Sequence, residues 1–172
     1  MSLAGLTFSL RKWEDTQSQI TRIRKQVFMD EYNLPLNFLR HRDDAERYHI
    51  IAYDDLTGRP IGTGCIHRDG HVGRIAILHS QHKTTSVAHV IVDYLMHVAN
   101  ALKLDRVWLN APIDTLNFYD YRDFHPMGDS FEFCGLPMQK LELLLEAEQH
   151  NKMQRILKQP NQERPTNVFL LH

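Results

Sequence analysis

The chain has 172 residues, of which 42% are hydrophobic and 24% are charged, with 8 glycines and 7 prolines. This is the size of one domain and the composition of an ordinary globular protein, which excludes a disordered chain, a collagen and a small disulfide scaffold. The formal net charge of -1 gives no overall attraction for nucleic acid or an anionic membrane, so we expect neither as a partner. Two cysteines outside any CxxC pair, and no apolar run long enough for a leader or a membrane span, predict a cytoplasmic protein.

The first half of the chain predicts a strand, a helix and three further strands. Alternating apolar residues predict a strand over 5–13, and helical spacing of Ile20, Ile23 and Val27 predicts a helix that ends near 33–35. The mixed charge run LRHRDDAER is typical of a solvated loop. Turn signals at DDLTG and RDG separate strands over 48–53, 59–67 and 71–78, which form a meander.

The second half predicts a helix over 86–102 with an apolar stripe, whose opposite, polar face should be solvated. A strand over 105–111, a short helix over 115–124 and two extended segments within 131–145 follow. The strand–helix–strand succession predicts one parallel, right-handed crossover in an otherwise antiparallel sheet. After a domain over 1–145, the polar segment 146–172 is predicted to be a helical or irregular extension that docks on its own domain or on a second copy, so a homodimer is one arrangement to expect.

The order of these elements and four short strings resemble the GNAT superfamily of acyl-CoA N-acyltransferases, most closely its ElaA-like branch. The strings are VFMDEYNLP at 27–35, GRIAIL at 73–78, FYDYRDFHPMGDSF at 118–131 and FEFCGLPM at 131–138. The resemblance covers roughly residues 5–143. It implies an α/β fold with a mixed, mostly antiparallel central sheet and helices on both faces. The implied activity is transfer of an acetyl group from acetyl-CoA to a primary amine of a small molecule.

The resemblance also implies where acetyl-CoA binds. The backbone of Ile75, Ala76 and Ile77 would hydrogen-bond the pantetheine arm as an added strand. The loop and helix start that would hold the pyrophosphate comprise His82, Lys83, Thr84, Thr85, Ser86 and Val87. This loop contains none of the glycines that the family has there, so hydroxyl groups and the cations of His82 and Lys83 would replace them. The alternative is a non-catalytic, GNAT-shaped ligand-binding or interaction module that has lost CoA binding.

The resemblance assigns chemistry to four further residues. Tyr119 stands where the family has the acid that protonates the departing thiolate, and the alternative is that its ring only packs. His71 stands where several members carry the base, and the alternative is a surface histidine beside a turn. Phe28 and Glu31 would line the acceptor side, although acids on the solvent face of a helix are common.

Two groups of side chains suggest metal ligands at first sight. Cys65, His67 and His71 flank one turn, and His89, Asp93 and His97 are spaced along one helix face. Neither group has the spacing of a zinc finger or an HExxH motif. The sequence therefore predicts no metal site.

Overall fold

The computed structural model describes residues 3–79 and 84–145. Its strands are β1 (Leu6–Arg11), β2 (Tyr48–Asp54), β3 (Pro60–Ile66), β4 (Val72–Ile77), β5 (Arg106–Pro112), β6 (His125–Phe133) and β7 (Leu136–Leu144). Its α-helices are α1 (Trp13–Arg24) and α2 (Thr84–Ala101). A π-helix (Lys25–Glu31) extends α1, and 3-10 helices cover Leu36–Phe38, Asp44–Glu46 and Ile113–Arg122. The predicted order of strands and helices is confirmed.

The strands form two antiparallel sheets that meet at one point. β1, β2, β3 and β4 are neighbours in the first sheet, and the second has the order β5, β7, β6. A parallel bridge between His71 and Trp108 joins the start of β4 to the start of β5. The mixed, mostly antiparallel architecture with one parallel connection is therefore confirmed.

The two α-helices cover opposite faces of the first sheet. A Cβ added at Gly64 would lie 2.7 Å from Ile91 Cγ2 of α2, so this strand position has to be glycine for α2 to approach so closely. On the other face, Ala76 of β4 packs against Ile23 of α1 and Val27 of the π-helix. Strand β4 therefore has an α2 face and an α1 face.

Two predictions of solvated charge were wrong. Asp44 and Arg47, in the run that was expected to be a solvated loop, are only 1% and 7% exposed. Asp93, on the expected solvent face of α2, is 3% exposed. Asp44 and Asp93 are each paired with an arginine at least 20 residues away in the chain, and Arg47 is paired with an aspartate four residues earlier, as described below.

None of the helices in the described ranges is long and apolar enough to cross a membrane. The predicted extension 146–172, and the loop residues His82 and Lys83, lie outside the described residues.

Candidate active site

The joint between the two sheets depends on a glycine. Trp108 donates its backbone N–H to the carbonyl of Gly70 at 3.0 Å. Gly70 has φ +89°, and a Cβ there would lie 2.5 Å from the backbone oxygen of Arg106. Beyond this joint the described residues show no further pairing between β4 and β5. We call the unpaired region between the two strands, toward their carboxyl ends, the cleft.

The edge of β4 that faces this cleft has backbone groups that no other described residue pairs with. Leu78 donates its N–H to Ile61 on β3 at 2.8 Å, so the alternation of a strand turns the N–H and C=O of Ile75 and Ile77 the other way, toward β5. Ala76, between them, has its side chain in the α1-face core. Free peptide groups along a strand edge can pair with the amides of an extended ligand.

Helix α2 begins where this edge ends. Its first residue is Thr84, and the N–H groups of the first turn, through Val87, have no intrahelical acceptor because of helix geometry. Together with the helix dipole they form a site that favours an anion. Thr85 is exposed, and Thr84 and Ser86 are half-buried, so their hydroxyls can also donate. The Val87 side chain is buried against Gly62, which leaves its backbone N–H as the group it can offer.

The 3-10 helix 113–122 and the segment that follows it place a group of rings beside α2, here called the aromatic cluster. Its members are His89, Phe118, Tyr119, Tyr121 and Phe124. Within it the Tyr119 ring makes edge contacts with Phe118 and Phe124 at centroid distances of 4.8 and 5.6 Å. Burial raises the pKa of Tyr119 to about 12, so its phenol stays protonated at physiological pH and can act as a hydrogen-bond donor.

The edge of the aromatic cluster carries the ion pair that buries Asp93. Arg122 donates from Nε to Asp93 Oδ1 at 2.7 Å, and its Nη2 bonds the same oxygen. His89, expected to be solvated with Asp93, stacks on Phe118 at 4.5 Å. The spacing along α2 could not reveal this because Arg122 comes 29 residues later in the chain.

Charged side chains lie on the α1 face, mostly as buried ion pairs. We call these side chains, together with Arg74, the charged cluster. Its members are Arg24, Asp43, Asp44, Arg47 and Arg74. Arg24, fully buried, donates to both carboxylate oxygens of Asp44 at 2.7 and 3.1 Å. Arg47 donates in the same bidentate manner to Asp43, at 2.9 Å for each bond. The arginines hold the pKa of both carboxyl groups below its ordinary value against the opposing effect of burial.

Asp44, His49 and Cys65 bring one potential metal ligand each to within 4.8 Å of one another. These are not the groups that the sequence singled out. The Arg24 guanidinium occupies both oxygens of Asp44 and lies 3.9 Å from the Cys65 sulfur, and burial raises the pKa of that thiol. In this arrangement the three groups serve the buried ion pair, because a cation beside Arg24 would be repelled.

His71 lies at the joint rather than out in the cleft. Its ring stacks on Trp108 at 4.0 Å, and its Nδ1 is 3.2 Å from Nη2 of Arg47. Burial and Arg47 lower the pKa of His71 to about 4, so the imidazole is neutral at physiological pH. Because a guanidinium can only donate, Nδ1 accepts and the ring proton is placed on Nε2. His71 is then a donor at Nε2, which does not suit it to take up a proton there.

Three aromatic rings from different elements meet on the α1 face. Phe28 of the π-helix lies 6.1 Å from Phe38, and Phe38 lies 5.6 Å from Phe133 at the end of β6. Arg74 of β4 lies over the Phe38 ring at 4.9 Å. Glu31, one helical turn beyond Phe28, pairs with His79 just after β4 at 3.2 Å. The structure thus places Phe28 and Glu31 beside β4, with Phe38, Phe133 and Arg74 as neighbours that sequence reasoning missed.

Residues 14–145 match the family described as the acetyltransferase (GNAT) domain. The chain belongs to the GNAT acetyltransferase family. The resemblance found in the sequence is thereby confirmed, and as a GNAT protein the chain is an acyl-CoA-dependent N-acyltransferase.

A curated relative and two solved structures illustrate the similarity. The N-acetyltransferase YjcF of Bacillus subtilis is 26% identical over 132 residues, which are 74% of this chain and 92% of YjcF. An acyl-CoA N-acyltransferase from Pseudomonas aeruginosa superimposes with a TM-score of 0.70 at 18% identity, over 80% of this chain and 98% of its own. Escherichia coli ElaA gives a TM-score of 0.69 at 18% identity, with the same two coverages. At such identities the structures support the GNAT fold and nothing finer.

Proposed function

We propose that this GNAT protein transfers an acetyl group from acetyl-CoA to the primary amine of a small molecule. The observation that carries the proposal is the cleft between β4 and β5. There the edge of β4 at Ile75 and Ile77, unpaired within the described residues, leads to the N-terminus of α2 at Thr84. A strand edge that pairs with amides and a helix start that favours an anion match, in this order, the pantetheine amides and the pyrophosphate of the donor.

In the proposed reaction, a bond forms between the amine nitrogen and the acetyl carbon while the carbon–sulfur bond breaks. Bound acetyl-CoA supplies the activated thioester. The neutral amine loses one proton to solvent as the amide forms. The thiolate takes one proton from solvent and leaves as the thiol. The task of the protein is to align the two reactants and to stabilise the charge that develops on sulfur.

We assign the stabilisation of this charge to Tyr119. With a pKa of about 12, its phenol is a weaker acid than an ordinary thiol, so donation of a hydrogen bond to the developing thiolate is its main contribution. We assign His71 the role of holding the joint between β4 and β5, because its stacking on Trp108 and its bond from Arg47 fix the start of the cleft. The base role that the resemblance implied for His71 is not part of the proposal.

We place the acceptor on the α1 face, between the π-helix and β4. Phe28 and Glu31 lie there beside the strand edge, and the Glu31 carboxylate can attract the ammonium form of an amine. The wall is largely aromatic, which suits a small molecule with an apolar part.

Calorimetry with CoA and acetyl-CoA tests the first half of the proposal, and thiol release with a panel of amines tests the second. We expect saturable heat with both nucleotides. Lys83→Ala, in the loop outside the described residues, should weaken CoA by about 1–2 kcal/mol, the range for a partly exposed charged hydrogen bond. No heat at millimolar CoA and no thiol release would contradict the proposal and favour the non-catalytic binding module.

A further inference from the structure

Arg74 is a half-buried guanidinium without a carboxylate. Its Nη1 donates to the backbone oxygen of Phe38 at 2.8 Å, and its guanidinium carbon lies 4.9 Å from the Phe38 ring centre. Within residues 3–79 and 84–145, no acidic side chain pairs with it. A buried charge that lacks a counter-ion is costly, so this position favours a ligand that brings a negative charge.

The acids near Arg74 are paired with other side chains, and one of them, Glu31, lies 3.2 Å from His79. Asp44 is committed to Arg24 and Asp43 to Arg47, so the charged cluster has three guanidinium groups and two carboxylates. Burial, reinforced by the charges of Arg24 and Arg47, also lowers the pKa of the Arg74 guanidinium. The histidines of this face, His49 and His71, have lowered pKa values and add no anion.

The backbone of Arg74 lies next to the strand edge that the proposed function uses. β4 contains one extra residue relative to β3 between Gly73 and Ala76, and within that bulge Arg74 has φ +56°. Bulges next to active sites re-aim a side chain, and a left-handed conformation in a residue other than glycine is retained where it serves a purpose. Arg74 immediately precedes Ile75, the first residue whose free backbone faces the cleft.

We propose that Arg74 binds a carboxylate of the acceptor, so that the substrate is an amine with a carboxylate close to its amino group, as in an amino acid. This inference rests on the proposed N-acetyltransferase function. A guanidinium binds a carboxylate in a bidentate manner, and its position next to Ile75 limits the carboxylate to a few bonds from the nitrogen that is acylated. The rings of Phe28, Phe38 and Phe133 suit an apolar side chain on that substrate. A polyamine would bring like charge to Arg74 and is disfavoured.

The test compares phenylalanine, phenylalaninamide and phenethylamine, which share ring and amine while only phenylalanine has a carboxylate. Rates of the full chain with acetyl-CoA are expressed per neutral amine, because the three amines differ in their own pKa values. We expect phenylalanine to have a kcat/KM about 10- to 100-fold above the other two, the range for a hydrogen-bonded ion pair. Arg74→Gln should abolish this preference, so that the three amines react at similar rates.

Two further variants sharpen the comparison. Arg59→Gln removes the same charge from the exposed turn between β2 and β3 and should keep the full preference. Arg74→Lys keeps the charge and loses the bidentate geometry, so it should retain an intermediate preference. Glutamine and lysine, like arginine, are unbranched at Cβ, so the strain at φ +56° is similar in both variants, and equal unfolding midpoints would confirm this.

A binding measurement separates this inference from the proposed function. N-acetylphenylalanine and its amide are titrated against the wild type and Arg74→Gln by calorimetry, which needs no turnover. Carboxylate binding that Arg74→Gln abolishes supports the inference even where no amine is acylated, and only the transfer reaction then fails. Equal acylation of all three amines, or equal binding of acid and amide by both proteins, overturns the inference and leaves N-acetyl transfer standing. Failure of the wild type to bind the acid also overturns it.

Discussion

The two faces of β4 are held together by different forces. On the α1 face, the bidentate Arg24–Asp44 pair of the charged cluster joins α1 to the 3-10 helix 44–46. Arg47, which is paired with Asp43, also bonds His71 at the start of β4. On the α2 face, apolar side chains pack on glycines of β3, and the aromatic cluster closes the far end with rings. The difference separates two tasks in one cleft. Surplus positive charge remains where an acceptor would be recognised, while an uncharged surrounding keeps a phenol protonated where a thiolate would form.

The largest effect that we expect is a loss of unfolding free energy when the Arg24–Asp44 pair is broken. Asp44→Asn leaves the fully buried Arg24 guanidinium without its counter-ion. Loss of one partner from a buried ion pair costs about 3–5 kcal/mol of unfolding free energy. Urea denaturation measures this loss.

An exposed pair on the same helical segment provides the control. Lys25 and Asp30 are 3.2 Å apart, but their side chains are 58% and 52% exposed. Lys25→Ala should therefore change the unfolding free energy by less than about 1 kcal/mol. The double variant Arg24→Met, Asp44→Leu should recover most of the loss, since apolar residues of similar volume can replace a buried pair. Equal losses for Asp44→Asn and Lys25→Ala would show that the charged cluster does not hold the α1 face.

On the α2 face the corresponding break is Tyr119→Phe, which keeps the ring and removes the donor. We expect a loss in kcat of about tenfold to a thousandfold with unchanged CoA affinity, because the thiolate charge develops only in the transition state. Steady-state rates and calorimetry measure the two quantities. Tyr121→Phe, in the same helix, is the control and should leave kcat unchanged. A Tyr119→Phe enzyme as fast as the wild type would reduce Tyr119 to a packing residue.

A substitution at Gly70, in the joint between the two sheets, should have a smaller effect on stability than the loss of the Arg24–Asp44 pair. Gly70 and Gly58 both have positive φ, but a Cβ at Gly58 would meet nothing within 4 Å, whereas at Gly70 it would lie 2.5 Å from Arg106 O. Gly70→Ala should therefore destabilise the fold by about 1–3 kcal/mol more than Gly58→Ala does, through steric overlap in addition to the shared strain. Thermal unfolding of the two variants gives this difference. Equal losses would mean that β5 can move away from Gly70 freely.

Much of the fold could be predicted from the sequence because its signals are local. The stripe on α2, the turns at DDLTG and RDG, and the alternation in β1 each act within a few residues. Candidate residues next to such signals, among them Ile75, Ile77 and Thr84, accordingly lie along the cleft and at the helix start.

The parts that could not be predicted depend on distant partners. The sequence around Asp44 predicts a surface residue, because its partner Arg24 lies 20 residues earlier in the chain. The lowered pKa of His71 depends in part on Arg47, which is 24 residues away in the chain. Arg74 lies inside a string that carried the resemblance, but only the bulge and the ring of Phe38 show where its guanidinium goes. A charged residue directly before a buried apolar triplet is the sequence signal that could have drawn attention to it.

The smallest effect concerns the titration of His71, where the charged cluster reaches the joint. Its pKa is about 4 in the folded protein and near 6.5 when unfolded, because of burial and the Arg47 guanidinium. Between these values the unfolded chain binds a proton that the folded one does not, so the unfolding free energy should fall as the pH drops from 6.5 toward 4. His49, whose pKa is also lowered, adds to the same trend. His71→Gln should lower the slope of unfolding free energy against pH by an amount that corresponds to less than one bound proton. The part of the slope that comes from His49 should remain. NMR of the wild type should show a neutral His71 ring, with its one proton on Nε2, at pH 6. A titration midpoint of His71 near 6.5 would mean that Arg47 does not bond Nδ1 in solution.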